Sequence, residues 1–385
     1  MPGTVCMKSR RVGNSIIAYM SPDTHTVFLL SGTWAERLMP TRSGTAEAPV
    51  VFAAAPGATP IIDGNAIPLK EMSGVVQVEN LSWIELRGLS VRNSGPGPNA
   101  AGIFARGCAN ITVRGCRTAG TNSSGIGIWR STSVLVDGND VSDACRDGSQ
   151  ECITVAGCDG YEIRGNVVHD CHSGKRGGEG IDAKHGSHGL IHNNLVHHIR
   201  RVGIYVDAWD VDMHDVEVRD NVVHDTQANG YALAAENGGG LSNVRFHDNT
   251  AFHNAHAGLT LADWGEEVPR HDLTDIVVEH NTFVENGTSG WGGGLRFENA
   301  AAKGIIVRDN LFADNKPGQI FIEKKPKSLV IEHNFVTGPC TEEGETGGER
   351  AVRGEPRYSF IPEGGVVLEP DSPGSDFGVR PADSR

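Results

Sequence analysis

The feature that most constrains this chain is an internal repeat marked by asparagine and glycine. A phrase of Asn followed by apolar residues recurs every 24 to 32 residues along the middle of the chain. Each Asn follows a stretch in which apolar and polar residues alternate, and a second such stretch opens with Gly roughly ten to fifteen residues later. Alternation of period two predicts β-strands, and Asn and Gly accept the left-handed backbone of a sharp corner. The repeated asparagines are Asn139, Asn166, Asn194, Asn221, Asn249, Asn281, Asn310 and Asn334. The glycines are Gly102, Gly125, Gly180, Gly203, Gly230, Gly258 and Gly294.

The length and content of the repeat separate a β-solenoid from other repeat folds. A helix pair in each repeat is excluded because no apolar stripe of helical period survives the Gly and β-branched content. A propeller blade needs about 40 residues and four antiparallel strands with hairpin signals. The remaining fold is an all-β parallel β-helix of roughly ten coils, with apolar rows inside and Asn rows that pair their amides from coil to coil.

Composition and charge narrow the classes of partner. Apolar residues make up 38% of the 385 residues, which is enough for a sizeable core, and the 50 glycines are spread along the chain. No apolar run approaches the roughly 18 residues of a membrane span. With 34 basic and 48 acidic residues the formal charge is −14, so we expect no binding to nucleic acid. We also expect no binding to a membrane, and we expect a monomer. Any ligand should therefore bind at a local site.

The flanks of the repeat differ from its middle. Residues 1–64 contain strand-like stretches that we interpret as N-terminal cap strands covering the edge of the first coil. Residues 65–338 form the predicted β-helix, and residues 339–385, rich in Glu, Gly, Pro and Ser, suggest a loose C-terminal extension. Cys145 and Cys171 follow matching turn signals, which allows either a thiol ladder or a disulfide. The first residues lack the pattern of a signal peptide.

Stacking the Gly-opened strands places charged residues side by side. In one coil Ile181 and Ala183 point inward while Asp182 and Lys184 point outward, and in the next coil Tyr205 and Asp207 point outward. The outward positions of the neighbouring coils are small residues, so the charged pairs are expected to lie in an open groove. The small residues are Thr154, Ala156, Ala232, Ala234, Thr260 and Ala262.

Lys184 is unusual because lysines are rare in this part of the chain. Between residues 71 and 302 the only lysines are Lys175 and Lys184. One interpretation is a structural ion pair between Lys184 and Asp207, worth about 0–1 kcal/mol if exposed. The other is a functional cation or general base poised by its acidic neighbours.

Four carboxylates are predicted close to this lysine. Asp207 and Asp210 end one strand, and Glu179 and Asp182 lie one coil back. Oxygen ligands on a semi-rigid frame suit Ca²⁺ with waters completing its shell, and the alternative is that the carboxylates face solvent. No pair of histidines has a clear zinc spacing, so transition metals rank lower.

Aromatic and cationic residues complete the candidate site. Trp209 and Trp264 follow outward strand ends and either stack on sugar rings or pack in the protein. Arg200 and Arg201 precede a coil and could hold an anionic group bidentately, and His185 lies next to Lys184.

The chain resembles the right-handed parallel β-helix proteins that act on polysaccharides, which include the pectate and alginate lyases. The stretch from Phe28 to Gly64, with Ser43-Gly44-Thr45-Ala46 and Ile62-Asp63-Gly64, resembles the start of many of them. The segment Glu179-Gly180-Ile181-Asp182-Ala183-Lys184 resembles the Asp-Gly-Phe-x-x-Lys strand of the family-nine pectate lyases, with Glu and Ile in place of Asp and Phe. The Asp-Pro-His-Asp signature of the epimerases is absent.

The resemblance implies a lyase that cleaves a uronic-acid polysaccharide by β-elimination, located outside the cell or in the periplasm. It implies Lys184 as general base, with Arg201 beside the substrate carboxylate and Ca²⁺ assisting. In this scheme the subsite residues are Arg200, Tyr205, Trp209, Trp264, His185 and Glu236. The stacking of the coils, and not the resemblance, assigns the calcium ligands as Glu179, Asp182, Asp207 and Asp210.

Two alternatives stay open. The first is a glycoside hydrolase that uses two carboxylates of the same groove, and the second is a non-catalytic carbohydrate-binding protein. The carboxylates available to a hydrolase are Asp182, Asp207, Asp210, Glu236 and Asp263.

Overall fold

The computed structural model describes residues 9–12, 15–21, 25–95, 97, 99–172, 177–265, 271–338, 344–361 and 364–380. These residues form strands and turns without any helix, so the predicted all-β class is confirmed. None of them forms a helix long and apolar enough to cross a bilayer. The chain divides into two compact units, residues 1–167 with 171–178 and residues 168–170 with 179–385.

Each full coil contributes one strand to each of three parallel sheets, numbered here in the order in which a coil visits them. Sheet 1 holds the Gly-opened strands. In the first unit its strands are Ser73–Glu79, Ala100–Arg106, Ile126–Trp129 and Ile153–Ala156. In the second unit they are Ile181–Lys184, Ile204–Asp207, Tyr231–Ala234, Leu259–Leu261, Leu295–Phe297 and Ile320–Ile322, with Glu345–Thr346 added antiparallel.

Sheet 2 holds the strands that lead to the repeated asparagines. In the first unit its parallel strands are Thr26–Leu29, Val50–Ala54, Ser82–Arg87, Ala109–Arg114, Thr132–Asp137 and Asp159–Arg164, and Ser9–Val12 and Ser15–Ser21 are added antiparallel at the edge. In the second unit they are Gly189–His192, Met213–Arg219, Gly240–His247, Asp272–Glu279, Lys303–Arg308 and Leu329–Glu332.

Sheet 3 holds the short strands that follow the asparagines. In the first unit its strands are Gly32–Trp34, Pro60–Asp63, Ser90–Arg92, Arg117–Ala119 and Asp140–Ser142. The strand Val167–Cys171 is divided between the two units. In the second unit the strands are Leu195–Ile199, Val222–His224, Thr250–Phe252, Thr282–Val284, Leu311–Ala313, Phe335–Val336 and Val352–Arg353. The described coils form a parallel β-helix of about 11 turns, close to the predicted number.

The predicted asparagine row is a buried ladder. Within the second unit, the Asn194 amide donates to Asn221 Oδ1 over 2.9 Å, and the same bond links each further Asn through to Asn334. Asn139 and Asn166 are paired in the same way in the first unit. Because each Asn also satisfies backbone groups at its corner, the ladder fixes where every coil turns.

The N-terminal cap strands continue the coils. Thr26–Leu29 pairs in parallel with Val50–Ala54, which in turn pairs with Ser82–Arg87. Pro60–Asp63 pairs with Ser90–Arg92 in sheet 3. These residues therefore extend sheets 2 and 3 of the first unit and shield the strands that follow them.

The C-terminal residues expected to be loose pack against the β-helix where they are described. The hairpin of Tyr358–Ile361 and Gly365–Leu368 lies against sheet 3 of the second unit, and Phe377 joins a core cluster with Phe335. Arg380 donates to both carboxylate oxygens of the buried Asp248. The polar composition of this segment did not predict its packing, because the packing depends on a few aromatic residues and one arginine.

The described part of the chain contains no disulfide at Cys145, Cys152 or Cys171, and all three side chains are buried. A hydrogen bond with Cys152, together with burial, raises the pKa of the Cys171 thiol well above its ordinary value. The sequence allowed either a thiol ladder or a disulfide for Cys145 and Cys171. The structure has no disulfide between them, and Cys171 lies beside Cys152.

Candidate functional site

The register of two neighbouring strands in sheet 1 builds the centre of the site. Ile181–Lys184 pairs in parallel with Ile204–Asp207, so that Lys184 lies opposite Asp207 and Asp182 lies opposite Tyr205. Ile181 and Ala183 point into the core, as the alternation predicts. The predicted juxtaposition of the charged residues on these two coils is therefore present.

Lys184 lies between two carboxylates. Its Nζ atom is 3.3 Å from Asp182 Oδ2 and 3.4 Å from Asp207 Oδ2. The side chains of both aspartates are inaccessible to solvent, whereas 21% of the Lys184 side chain is exposed. The ring of Trp209 lies 4.9 Å from the same ammonium nitrogen. Lys175, the other lysine of this region, lies outside the described residues.

The outward face of sheet 1 is covered at this point, and the expectation of an open groove was wrong. Tyr205 is only 5% exposed and packs with Ala232, Ala234 and Ala262, and Trp264 lies against this cluster. The small residues that were expected to form low walls instead make room for two large aromatic side chains. The rings of Tyr205 and Trp264 are 5.8 Å apart.

A cavity of about 320 Å³ opens beside these aromatic rings. Its lining combines one cation, two carboxylates and aromatic surface, which are the groups that bind a charged sugar. The lining residues are Glu179, Arg201, Val202, Tyr205, Ala228, Asn229, Glu236, His256 and Trp264. Five of the sequence-predicted site residues thus meet at one cavity.

Tyr205 links the cavity to the buried charges. Its hydroxyl donates a hydrogen bond to Glu236 Oε1. Burial and the negative charges of Asp207, Glu236 and Asp182 raise the pKa of Tyr205 well above its ordinary value. The phenol is therefore neutral at physiological pH and acts as a hydrogen-bond donor in the cavity.

A second charged cluster adjoins Trp264. The indole Nε1 of Trp264 donates to Glu298 Oε2 over 2.8 Å, and Arg296 Nε lies 3.3 Å from Glu298 Oε1. Burial raises the pKa of Glu298. The Arg296 guanidinium lies 4.2 Å from the ring of Trp291, whose side chain is exposed.

The structure separates several residues that the sequence analysis placed together. Asp210 is exposed and pairs with His185, with 3.3 Å between Oδ1 and Nδ1, so these two lie away from the cavity lining. Arg200 is exposed and also lies outside that lining, and Asp263 pairs with Lys324 over 2.7 Å. Trp209 packs over Lys184 instead of lining the cavity.

The four predicted calcium ligands do not converge. In the described part of the chain, no three ligand atoms of Glu179, Asp182, Asp207 and Asp210 lie within 4.8 Å of one another. The reason is that Lys184 Nζ lies against both Asp182 and Asp207. As arranged here, these residues do not form a calcium cage.

Two polar lining residues, Asn229 and His256, were missed. Asn229 is buried, and its Oδ1 accepts from Ala257 N and Thr260 Oγ1. It directly precedes a repeated Gly, as Glu179 and Val202 do, so the position before Gly is the sequence signal for this lining. No comparable signal marks His256, whose pKa is lowered by burial.

The fold and site define a right-handed β-helix protein. The model of the right handed beta helix region matches residues 73–205, 101–272 and 239–336, and the chain belongs to this family. The predicted handedness is thereby confirmed, as is the resemblance to the lyase-like β-helix proteins.

Individual relatives are distant. The chain is 23% identical over 355 residues to the protein YwoF of Bacillus subtilis (strain 168), covering 83% of this chain and 74% of the relative. It is similar to the A-module of the Azotobacter vinelandii mannuronan C-5 epimerase AlgE4, with a TM-score of 0.52 and 16% identity over 86% of this chain and 85% of that one. It is also similar to the PL6 family alginate lyase AlyGC, with a TM-score of 0.51 and 13% identity over 92% of this chain and 53% of the lyase. At these identities the solved structures show the fold alone.

Proposed function

We propose that this protein acts on an acidic polysaccharide outside the cell or in the periplasm, and that it is a lyase. The observation that carries the proposal is the cavity in which Arg201, Tyr205, Glu236 and Trp264 meet. Lys184 does not line this cavity and lies on the strand that pairs with the strand of Tyr205. The epimerase and the alginate lyase with the same fold are proteins whose names specify uronate polymers, which supports this class of substrate.

Binding of the substrate follows from the lining. Arg201 would pair with the carboxylate of one uronate, and the partly buried Trp264 would offer a ring face to sugar, whereas the ring of Tyr205 is packed in the protein. The net charge of −14 repels a polyanion at long range, so the local cation is essential for binding. Arg200 and His185, which lie outside the cavity, would contact only sugars beyond it.

The reaction is a β-elimination across C4 and C5 of the uronate. The C5–H bond breaks and its proton passes to Lys184, the C4–O bond breaks with its electron pair leaving on oxygen, and a C4–C5 double bond forms. Arg201 beside the carboxylate stabilises the charge that develops during proton removal. Tyr205 donates its one hydroxyl proton to Glu236 Oε1, so the leaving oxygen would take its proton from water.

Lys184 can accept a proton only in its amine form. Asp182 Oδ2 and Asp207 Oδ2 lie 3.3 and 3.4 Å from its nitrogen and are the carboxylate oxygens to which the ammonium proton could pass. A shift of the ammonium proton to either aspartate would give the amine. The two aspartates thus position Lys184 and can serve as its proton acceptors.

Calcium stays a prediction. The oxygen donors of Glu179, Asp182, Asp207 and Asp210 suit Ca²⁺ by type, although their arrangement does not form a cage, and no step above is assigned to the ion. Loss of activity in EDTA and recovery with added Ca²⁺ would support this part of the proposal, and full activity in EDTA would refute it.

The test is an assay on polygalacturonate, alginate and a neutral glycan, followed by ultraviolet absorbance of unsaturated uronate and by reducing ends. We expect unsaturated product from a uronate polymer and a loss of about 100-fold or more in Lys184→Ala. Arg201→Ala should weaken binding of the same polymer. Lys303→Ala, which removes an exposed lysine elsewhere in the second unit, is the matched control and should leave the rate unchanged.

The other outcomes contradict the lyase. Reducing ends without absorbance would identify a hydrolase, for which Glu298 with its raised pKa is a candidate acid. Binding without product in the wild-type protein would identify the non-catalytic alternative. Circular dichroism of Lys184→Ala checks that a loss of activity does not reflect unfolding.

A further inference from the structure

Two histidines and an aspartate converge on the surface of the second unit. His188 directly precedes the strand Gly189–His192, and His214 and Asp215 lie in the neighbouring strand Met213–Arg219. Ligand atoms of the three side chains all lie within 4.8 Å of one another. Asp215 Oδ2 is 2.8 Å from His214 Nδ1 and 3.6 Å from His188 Nε2.

The backbone holds these residues in place. His188 N donates to His214 O over 3.1 Å, and His214 N donates to Ser187 Oγ over the same distance. His188 and Asp215 both adopt the left-handed conformation, with φ of 55° and 57°. Neighbouring coils therefore present the two side chains from equivalent corners, and parallel pairing keeps them in register.

A second observation points to a ligand at this cluster. Asn243, one coil further on, donates to Asp215 Oδ1, which leaves Oδ2 directed to the histidines. This is the arrangement in which an outer hydrogen bond orients a carboxylate ligand. A cavity of about 280 Å³ lies against the same cluster and is lined by His188, Asp215, Glu217, Asn243 and Arg245 among others.

We propose that His188, His214 and Asp215 bind a divalent transition metal ion of the zinc type. Two imidazole nitrogens and one carboxylate oxygen are a donor set that Zn²⁺ binds well, and three protein ligands leave a position open. The open position would face the cavity and take water or an anion. The ion would replace the proton between His214 and Asp215 and would join two consecutive coils.

The test is a calorimetric titration of the tag-free, metal-depleted full chain with ZnCl₂. We expect one equivalent of Zn²⁺ whose binding is lost in both His188→Ala and His214→Ala. Asn243→Ala should weaken that binding about tenfold, as removal of an outer hydrogen bond does at other metal sites. His333→Ala is the matched control, because it removes an exposed histidine whose Nδ1 also contacts an aspartate, 2.6 Å away.

A second measurement separates this site from other histidines. Co²⁺ in place of Zn²⁺ should give the visible absorption of a four-coordinate site in the wild type and in His333→Ala, and Ca²⁺ should not displace it. Absence of Zn²⁺ binding by the wild type would overturn the proposal. It would also be overturned by stoichiometry and affinity that remain unchanged when both His188 and His214 are replaced.

Discussion

At the scale of single residues, a column of histidines in sheet 3 makes the second unit sensitive to acid. The rings of His169, His197 and His224 stack at 5.3 and 5.1 Å, and His224 in turn stacks on Phe252. Burial, followed by the neighbouring His224, His198 and His169, lowers the pKa of His197 to about 4. Asp170 faces the same column and favours protonation of His197, but its effect is smaller than that of burial and of the neighbouring histidines.

The direction of the pH dependence follows from this pKa. In the unfolded chain His197 takes up a proton near pH 6.5, whereas in the native protein it stays neutral until about pH 4. The unfolded state therefore binds more protons in this interval, and stability is lost as the pH falls through it. Because His197 is only half-buried, we expect a contribution of about 1–2 kcal/mol after solvent screening.

The variant His197→Phe isolates this effect. It should lose less stability than the wild type between neutral pH and about pH 4.5 in urea unfolding followed by circular dichroism. The comparison is needed because burial also lowers the pKa of His256 and His280, which act in the same direction. Parallel pH profiles for variant and wild type would refute the role of His197.

The residues of the candidate site were predictable in position but not in environment. The alternation in Ile181–Lys184 and Ile204–Asp207 is sufficient to place Lys184 opposite Asp207. It does not show that Asp182 and Asp207 are inaccessible, because that depends on side chains from other coils covering the outward face of sheet 1. The calcium prediction is open for a related reason: stacking predicts which residues are neighbours, whereas a metal site also depends on the directions of their side chains.

At the scale of the element, the asparagine ladder is the strongest polar support of the corners between sheets 2 and 3. The Asn281 Oδ1 atom accepts from Asn249 N over 2.9 Å, and its amide donates to Phe246 O and Asn310 Oδ1. Replacing it by an apolar residue of similar size leaves these buried groups without their partner. Asn281→Leu should therefore lose about 3 kcal/mol or more of unfolding free energy.

The matched control is Asn237→Ala, which removes an exposed asparagine in the same unit. It should change the free energy of unfolding by less than about 0.5 kcal/mol in the same urea titration. Equal effects of the two substitutions would show that the corners are supported by the backbone alone.

The elements themselves were largely predictable. The recurring Asn and Gly residues mark the corners of the chain. Each buried Asn amide needs a partner one coil away, so corners at a nearly constant spacing predict stacked coils. A second ladder of Asn254, Asn286 and Asn315 was not recognised, although its spacings of 32 and 29 residues match the first. The spacing of these asparagines in the sequence is therefore sufficient to predict the second row.

At the scale of the whole molecule, described residues after 338 pack against sheet 3 in the second unit. Phe377, which is 9% exposed, packs in one cluster with Phe252, Val284 and Phe335. Arg380 compensates the charge of Asp248, whose side chain is 1% exposed. Although burial opposes ionisation, hydrogen bonds from His247 and Arg380 hold the pKa of Asp248 well below its ordinary value.

Removing the Phe377 side chain should therefore destabilise the second unit, most of whose residues lie far from Phe377 in the sequence. Phe377→Ala should lose about 2–4 kcal/mol of unfolding free energy, because it empties a buried aromatic position that the neighbours fill only partly. Ile361→Ala, at an exposed position of the same C-terminal segment, should change it by less than about 0.5 kcal/mol. Both values come from guanidinium unfolding followed by circular dichroism. If Phe377→Ala unfolds at the same denaturant concentration as the wild type, the segment contributes no stability and is the loose extension that its composition suggested.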